Sequence, residues 1–82
     1  MSLRAGLNVI MREDALIYQP QGDNLIAKKV YARNAGITTG NEEPAILQTG
    51  ELVPGITINF YTKKGHRESI TVPLSAVKLL IT

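Results

Sequence analysis

The densest run of positive charge lies near the C-terminus, in the stretch TKKGHR at residues 62–67. Lys63, Lys64 and Arg67 are the cations, and His66 is the single histidine of the chain. Clustered cations are typical of contact sites for phosphate and other anions. The same residues also suit the exposed tip of a β-hairpin, because neighbouring cations repel one another and need water between them. We predict an exposed tip, with an anion contact as its functional alternative.

Tyrosines next to cations form a second candidate site. Tyr31 lies two residues from both Lys29 and Arg33, and Tyr61 lies two residues before Lys63. An exposed tyrosine beside Lys or Arg can stack on a nucleic-acid base while the cation binds a phosphate. Tyrosine is also ordinary on a half-buried sheet, and lysine on an edge strand limits aggregation. Both interpretations stay open for each pair.

Residues suited to catalysis are few. Cysteine is absent, and one histidine cannot make a histidine-based metal cluster. Glu13-Asp14 and Glu42-Glu43 are adjacent carboxylates, and neighbours in an extended chain point to opposite sides, so neither pair makes a ready acid–base dyad. The stretch GITTGN at residues 36–41 lacks the Lys-Ser/Thr of a phosphate-binding loop, which predicts a flexible connection. We therefore expect no enzymatic activity from this chain alone, no cofactor and no metal; a site shared with another subunit is the alternative.

Composition predicts one globular domain over residues 1–82. Hydrophobic residues make up 44% of the chain and charged residues 20%, close to ordinary usage. A net charge of +2 is too small to predict nucleic-acid binding by itself. No apolar run approaches the roughly 20 residues that span a bilayer. Because the N-terminus also lacks the features of a secretory signal, we expect a cytoplasmic location and no membrane contact.

The clearest strand pattern lies on both sides of the basic stretch. Apolar and polar residues alternate over residues 56–62 and again over residues 68–73. A period of two is that of a half-buried strand. Gly65 between the two runs supplies the backbone freedom that a tight turn needs. The sequence therefore predicts an antiparallel hairpin here.

The C-terminal segment follows a proline. Pro73 cannot donate a hydrogen bond to a neighbouring strand, so the strand ends or becomes an edge there. Residues 74–76 are turn-like, and residues 77–81 are predicted as a last strand. A single helical turn over residues 74–80 is the alternative.

The N-terminal half is less regular. Strands are predicted over residues 7–12, 15–18 and 25–33, and residues 19–24 are rich in turn formers and predict a loop. Both faces of the 25–33 segment mix apolar with charged residues. Such a pattern favours an edge strand or a strongly twisted one.

The middle of the chain contains the longest irregular stretch. Residues 34–44 hold two glycines, two asparagines and a proline, which predicts a loop. Residues 45–49 are favoured as a strand that turns at Gly50 into a further short strand. A short helix capped by Asn41 is the alternative.

Five or six short strands with turns between them predict a mainly β fold, a small antiparallel barrel or sandwich with one short helical turn. The stretch ITVPLSAVKLLIT at residues 70–82 resembles the end of a Src-homology-3-like small barrel. In that family a proline, a one-turn helix and a closing Val-x-Leu strand follow one another. ALIYQPQGDNL at residues 15–25 is similar to the start and acidic loop of the same family. The resemblance implies a barrel topology but not binding of proline-rich peptides, because the paired tryptophans of the family's groove are absent here.

Two functions fit these patterns. The first is a non-catalytic protein-interaction or assembly module, indicated by Ile10, Tyr61 and Leu80 at positions where strict alternation faces solvent. The second is a nucleic-acid-binding small barrel that uses the basic–aromatic pairs. A chain of 82 residues without disulfides buries only about 60–65% of the surface that its unfolded form exposes. We therefore expect self-association, most simply a symmetric dimer formed through the strands at residues 25–33 and 77–81.

Overall fold

The computed structural model of the protein describes residues 4–61 and 65–80. Within these ranges the chain forms nine strands and a one-turn 3-10 helix at Leu74–Ala76. In chain order the strands are β1 (Asn8–Met11), β2 (Ala15–Gln21), β3 (Asn24–Val30), β4 (Ala35–Thr38), β5 (Ala45–Leu47), β6 (Leu52–Val53), β7 (Gly55–Tyr61), β8 (Arg67–Pro73) and β9 (Val77–Leu79). No helix in these ranges is long and apolar enough to cross a membrane. The predicted mainly β class is confirmed, with nine strands in these ranges where five or six were expected.

The strands form two antiparallel sheets. Sheet A has the order β8-β7-β4-β1-β9, and sheet B has the order β3-β2-β5-β6. Neither sheet closes into a barrel over the residues described. Of the two predicted architectures the fold is therefore the open, two-sheet one, and the closed barrel implied by the family resemblance is not found.

Apolar side chains of both sheets meet in one core. Val9, Ile56, Ile58 and Val72 of sheet A and Ile17 of sheet B are all fully buried. Successive side chains of a strand point to opposite faces of the sheet. The neighbours of these buried residues therefore point outward, away from the core. Full burial of such an aliphatic side chain contributes about 1.5–3 kcal/mol. The core thus determines which face of each sheet meets solvent.

The C-terminal half matches its predicted elements. β7 and β8 form the expected hairpin, with Ile58 opposite Ile70. The 3-10 helix and then β9 follow Pro73, so the predicted turn and the predicted last strand are both present. β9 ends at Leu79, and residue 81 lies outside the described residues.

The middle segment, predicted as a loop at residues 34–44, contains a strand in the interior of a sheet. β4 lies between β7 and β1 in sheet A. An added Cβ atom at Gly36 would lie 2.6 Å from both the backbone oxygen of Asn59 and the Cγ2 atom of Ile58. Glycine is therefore required here for close approach between strands, not for flexibility. The loop prediction is wrong for residues 35–38.

The predicted loop at residues 19–24 is also too long. β2 continues to Gln21 and pairs with β3 along seven residues, which leaves only a two-residue turn. β5 pairs with β2 at Ile17 and Tyr18 alone, so no strand adjoins Pro20 on that side. Proline has no N–H to donate to a neighbouring strand, and β2 has no neighbouring strand on this side at Pro20. No hydrogen bond is therefore lost, and β2 can include Pro20.

β3 ends earlier than the strand predicted at residues 25–33. After Val30 the chain turns, and Arg33 has a positive φ of 74°. The Arg33 amide donates to the carbonyl of Met11 at 2.9 Å, which fixes the crossing from sheet B to sheet A. The alternation had predicted Arg33 on the same strand face as Lys29 and Tyr31. That prediction is wrong, because β3 has already ended before Arg33.

The strand interpretation of residues 45–53 is confirmed. β5 and β6 pair with each other, and Gly50 between them has a φ of 93°. Only glycine adopts that conformation without strain, which explains its place at the turn.

Candidate functional site

Sheet B turns an apolar face to solvent. Tyr18 pairs with Ala27 on one side and with Ile46 on the other, and Ile46 pairs with Leu52, so one row of outward side chains crosses all four strands. Residues two positions along the same strands point the same way. We call this surface the sheet B face; it consists of Leu16, Tyr18, Pro20, Leu25, Ala27, Ile46 and Leu52.

The sheet B face is both exposed and nearly uncharged. Its three leucines, Leu16, Leu25 and Leu52, are 51%, 54% and 64% exposed. Lys29 is the one charged residue among the outward strand positions that the structure describes in sheet B, and its ammonium lies 3.7 Å from an Asp14 carboxylate oxygen. The largest contiguous apolar patch on a typical monomer covers about 300–600 Å² and is often functional.

The outward face of the β7–β8 hairpin in sheet A is polar instead. The hydroxyl oxygens of Thr57 and Thr71 lie 2.8 Å apart in a cross-strand hydrogen bond. The Ser69 hydroxyl donates to the side-chain oxygen of Asn59 in the next pair. Thr71 is buried and Ser69 is exposed, so this polar face meets water at the Asn59–Ser69 pair. The outer face of the hairpin is therefore hydrogen-bonded, whereas that of sheet B is apolar.

A groove of about 420 Å³ lies between the end of β3 and the β7–β8 hairpin. Its polar lining comes from Lys28, Lys29, Tyr31, Asn34, Tyr61 and Glu68. We call it the basic–aromatic groove. It opens along the side of the molecule where β3 and β8 are the edge strands of their sheets.

Two cations lie over the two tyrosine rings at this groove. The Lys29 ammonium is 4.9 Å from the centre of the Tyr31 ring, and the Arg67 guanidinium carbon is 5.4 Å from the centre of the Tyr61 ring. Arg67 also donates a hydrogen bond of 3.3 Å to the Tyr61 hydroxyl. These distances are those of cation–π pairs. Each tyrosine therefore carries its own cation.

Carboxylates balance part of this charge. Lys28 of sheet B forms an ion pair with Glu68 of sheet A, which ties the two sheets together at the groove. Asp14 pairs with Lys29 and also accepts a hydrogen bond of 2.7 Å from the backbone amide of Ala32. The three cations Lys28, Lys29 and Arg67 thus exceed the two acids by one charge.

The crossing between the sheets brings the two tyrosines together. Tyr31 follows the last residue of β3, and the turn after it delivers the chain into β4. Gly36 of β4 pairs with Phe60, the residue before Tyr61. Tyr31 and Tyr61 therefore approach each other although they are far apart in the sequence.

The candidate residues predicted from the sequence divide into two groups. Lys29, Tyr31 and Tyr61 line the same groove, and Arg67 flanks it through Tyr61. The sequence had indicated two separate pairs, and their convergence is new.

The remaining candidates lie elsewhere. Arg33 occupies the turn before β4. His66 is exposed next to β8, as expected for a hairpin tip. Lys63 and Lys64 fall outside the described residues.

The sheet B face was missed from the sequence alone. Leu16, Tyr18 and Pro20 alternate, but the loop predicted from residue 19 onward hid that pattern. Lys28 and Glu68 were missed as well, because their contact joins two sheets and no local spacing reveals it.

A second groove, of about 510 Å³, adjoins the sheet B face at Leu52. Val53, Pro54 and Leu74 are part of its apolar lining, and Glu42 and Glu43 add acidic groups. Across residues 4–61 and 65–80, no set of three or more His, Cys, Asp or Glu side chains is placed to hold a metal ion. Because the groove shares Leu52 with the sheet B face and continues it with Val53, Pro54 and Leu74, we regard it as an apolar extension of that face.

Comparison of the chain with known protein-family models, curated proteins and solved structures gives no match in any of the three. The function must therefore be inferred from the two surfaces themselves.

Proposed function

We propose that this protein is a non-catalytic assembly module that binds a second copy of itself through the sheet B face. The observation that carries the proposal is the row of apolar side chains across all four strands of sheet B, with three leucines more than half exposed. A cytoplasmic location remains a prediction from the sequence.

The hydrophobic effect supplies the driving force. Covering the exposed half of a leucine side chain contributes about 1 kcal/mol, since full burial contributes about 1.5–3 kcal/mol. Each copy would bury three such side chains, those of Leu16, Leu25 and Leu52, and so add to the free energy of association. A small chain without cysteine has few other sources of stability, and a partner subunit is a common one.

A second copy suits this surface better than a charged partner. Two sheets pack face to face about 10 Å apart, with their strands within about 30° of parallel, and two identical apolar faces satisfy that geometry. Around a two-fold axis every side chain meets the same surface on the other copy, so a charged face would repel itself. Lys29 lies on the edge strand β3 and is paired with Asp14, which leaves the centre of the face uncharged.

The size of the face limits the strength of the contact. Four strands about 4.8 Å apart, the longest of seven residues, cover roughly 300 Å² in projection. A stable interface usually buries about 800 Å² on each partner. We therefore expect weak, concentration-dependent association with a dissociation constant of about 10–100 micromolar.

Sedimentation equilibrium from 5 to about 500 micromolar tests the proposal, with those limits chosen around the expected dissociation constant. Wild-type protein should shift from monomer to dimer, and Leu52→Asp should weaken association at least about tenfold, because each copy would bury an unpaired carboxylate. Leu80→Asp is the matched control, since Leu80 is also an exposed leucine but lies next to β9 at the edge of sheet A. It should associate like wild type.

Three outcomes would contradict the proposal. A wild-type chain that stays monomeric at the highest concentration rules out self-assembly. Loss of association in Leu80→Asp alone would assign the contact to the β9 edge. Equal association in all three proteins would exclude the sheet B face.

A further inference from the structure

We propose that the basic–aromatic groove binds short single-stranded nucleic acid. Tyr31 and Tyr61 would stack on bases, and Lys28, Lys29 and Arg67 would contact phosphates. This function goes beyond self-assembly and uses a neighbouring surface at the edges of β3 and β8, which shares Lys29 with the outward strand positions of sheet B.

The first argument is the convergence of two independent basic–aromatic pairs. Tyr31 and Tyr61 are 30 positions apart in the sequence, yet both line one groove and each has a cation near its ring. A single exposed tyrosine beside a lysine is ordinary on a sheet. Two such pairs at one groove form the arrangement by which proteins bind single strands, with aromatic rings for bases and cations for the backbone.

The second argument is the accessibility of the rings. Tyr31 and Tyr61 are 58% and 55% exposed. A cation lies over each ring, and more than half of each tyrosine is still exposed. Stacking of a base on such a ring contributes about 1–3 kcal/mol.

The third argument concerns the charge that a phosphate would meet. Lys29 and Asp14 are about half exposed and 3.7 Å apart. Exposed ion pairs of this kind contribute about 0–1 kcal/mol, so a phosphate can replace the carboxylate at little cost. Arg67 is held by the neutral Tyr61 hydroxyl, which leaves its charge uncompensated in that contact.

The dimensions favour a single strand over a duplex. A groove of about 420 Å³ can accept individual unstacked bases but not a helix. The chain also has a net charge of only +2, which is too little for tight binding to the dense phosphate charge of a duplex. A single strand can place its bases on the two rings directly.

Fluorescence anisotropy with fluorescein-labelled octathymidylate in 50 mM NaCl tests the proposal. Wild-type protein should bind, and Tyr31→Ser combined with Tyr61→Ser should bind about 100-fold more weakly, at roughly tenfold for each lost stack. Tyr18→Ser is the matched control, because the third tyrosine lies on the sheet B face. It should bind like wild type.

Glu68→Gln provides a gain-of-function test. It removes a negative charge from the groove and releases Lys28 from its ion pair, so binding should tighten about fivefold. Arg67→Gln should lower the slope of log affinity against log salt by about 0.7, the value for one phosphate contact on a single strand. If Glu68 and Arg67 had only structural roles, Glu68→Gln would not tighten binding and Arg67→Gln would not lower the salt slope.

Several results would overturn the proposal. Failure of folded wild-type protein to bind octathymidylate in 50 mM NaCl is one such result, and equal weakening by Tyr18→Ser and by the double tyrosine variant is another. Competition by polyglutamate as effective as that by unlabelled octathymidylate would identify a surface for acidic peptides instead. Circular dichroism of each variant confirms that it is folded before its affinity is compared.

Discussion

Arg33 has the left-handed backbone conformation that normally belongs to glycine, at the turn from β3 to β4. That conformation costs a residue with a Cβ atom about 1–2 kcal/mol. Because glycine also gains freedom in the unfolded chain, Arg33→Gly should raise the free energy of unfolding by a smaller amount, about 0.5–1 kcal/mol. Urea unfolding measures it. Arg33→Ala keeps the Cβ atom and should give no such gain; an equal gain would attribute the effect to the arginine side chain rather than to the backbone.

The turn at Arg33 separates the residue contacts that could be predicted from the sequence from those that could not. The pairing of Lys29 with Tyr31 was predictable because it depends on a spacing of two residues in a strand. The meeting of Tyr31 with Tyr61 was not, since it depends on the crossing at Arg33 and on the pairing of β4 with β7. Contacts between sheets, such as Lys28 with Glu68, leave no local pattern in the sequence.

Among the elements, β4 depends on a single residue, Gly36, for its close approach to β7. Gly36→Ala would place a Cβ atom 2.6 Å from the Asn59 backbone oxygen, and a backbone atom cannot move aside as a flexible side chain can. The substitution should lower the free energy of unfolding by about 2–3 kcal/mol. Thermal or urea unfolding provides the measurement. A loss below about 0.5 kcal/mol would mean that β4 does not lie against β7 as described.

Gly22→Ala is the control for that substitution. Gly22 has a φ of 62° in the turn between β2 and β3, and nothing lies within 4 Å of an added Cβ atom. Its cost should be limited to the backbone strain, about 1 kcal/mol. The difference between the two variants therefore measures the close approach of the strands.

Sequence patterns predicted some elements well and failed at others for a common reason. The β7–β8 hairpin was predictable because its alternation runs unbroken on both sides of Gly65. β4 and the end of β2 were missed because glycine and proline were interpreted as turn residues. In the fold, Gly36 allows strands to approach and Pro20 lies where β2 has no second neighbour. Both exceptions depend on neighbouring strands that the local sequence does not specify.

For the whole molecule, the two proposed surfaces should respond to salt in opposite ways. Association through the uncharged sheet B face should strengthen when sodium sulfate is added, because such salts favour burial of apolar surface. Binding of octathymidylate at the basic–aromatic groove should weaken as salt rises, because cations and phosphates exchange for free ions. Sedimentation equilibrium measures the self-association and fluorescence anisotropy measures the octathymidylate binding, at the same series of sodium sulfate concentrations. If self-association and octathymidylate binding both weaken as the salt concentration rises, one charged surface serves both functions.

The two-sheet arrangement itself was only partly predictable. Barrel and sandwich both follow from short alternating strands, and the choice depends on whether the edge strands meet. Here β3 and β8 come close enough for Lys28 to contact Glu68 across the gap, yet they remain edges of separate sheets. That gap is the basic–aromatic groove, so the feature that keeps the barrel open also creates the candidate site.

The interior position of β4 has a kinetic consequence for the molecule. Its short run of residues, with the composition of a loop, is flanked by β7 on one side and β1 on the other. Its amides can exchange with deuterium only when sheet A separates, whereas those of the two-residue edge strand β6 need only a local opening. Residues 35–38 therefore belong, with β1 and β7, to the interior of sheet A that opens last, and a loop-like stretch of the sequence is among the slowest to exchange.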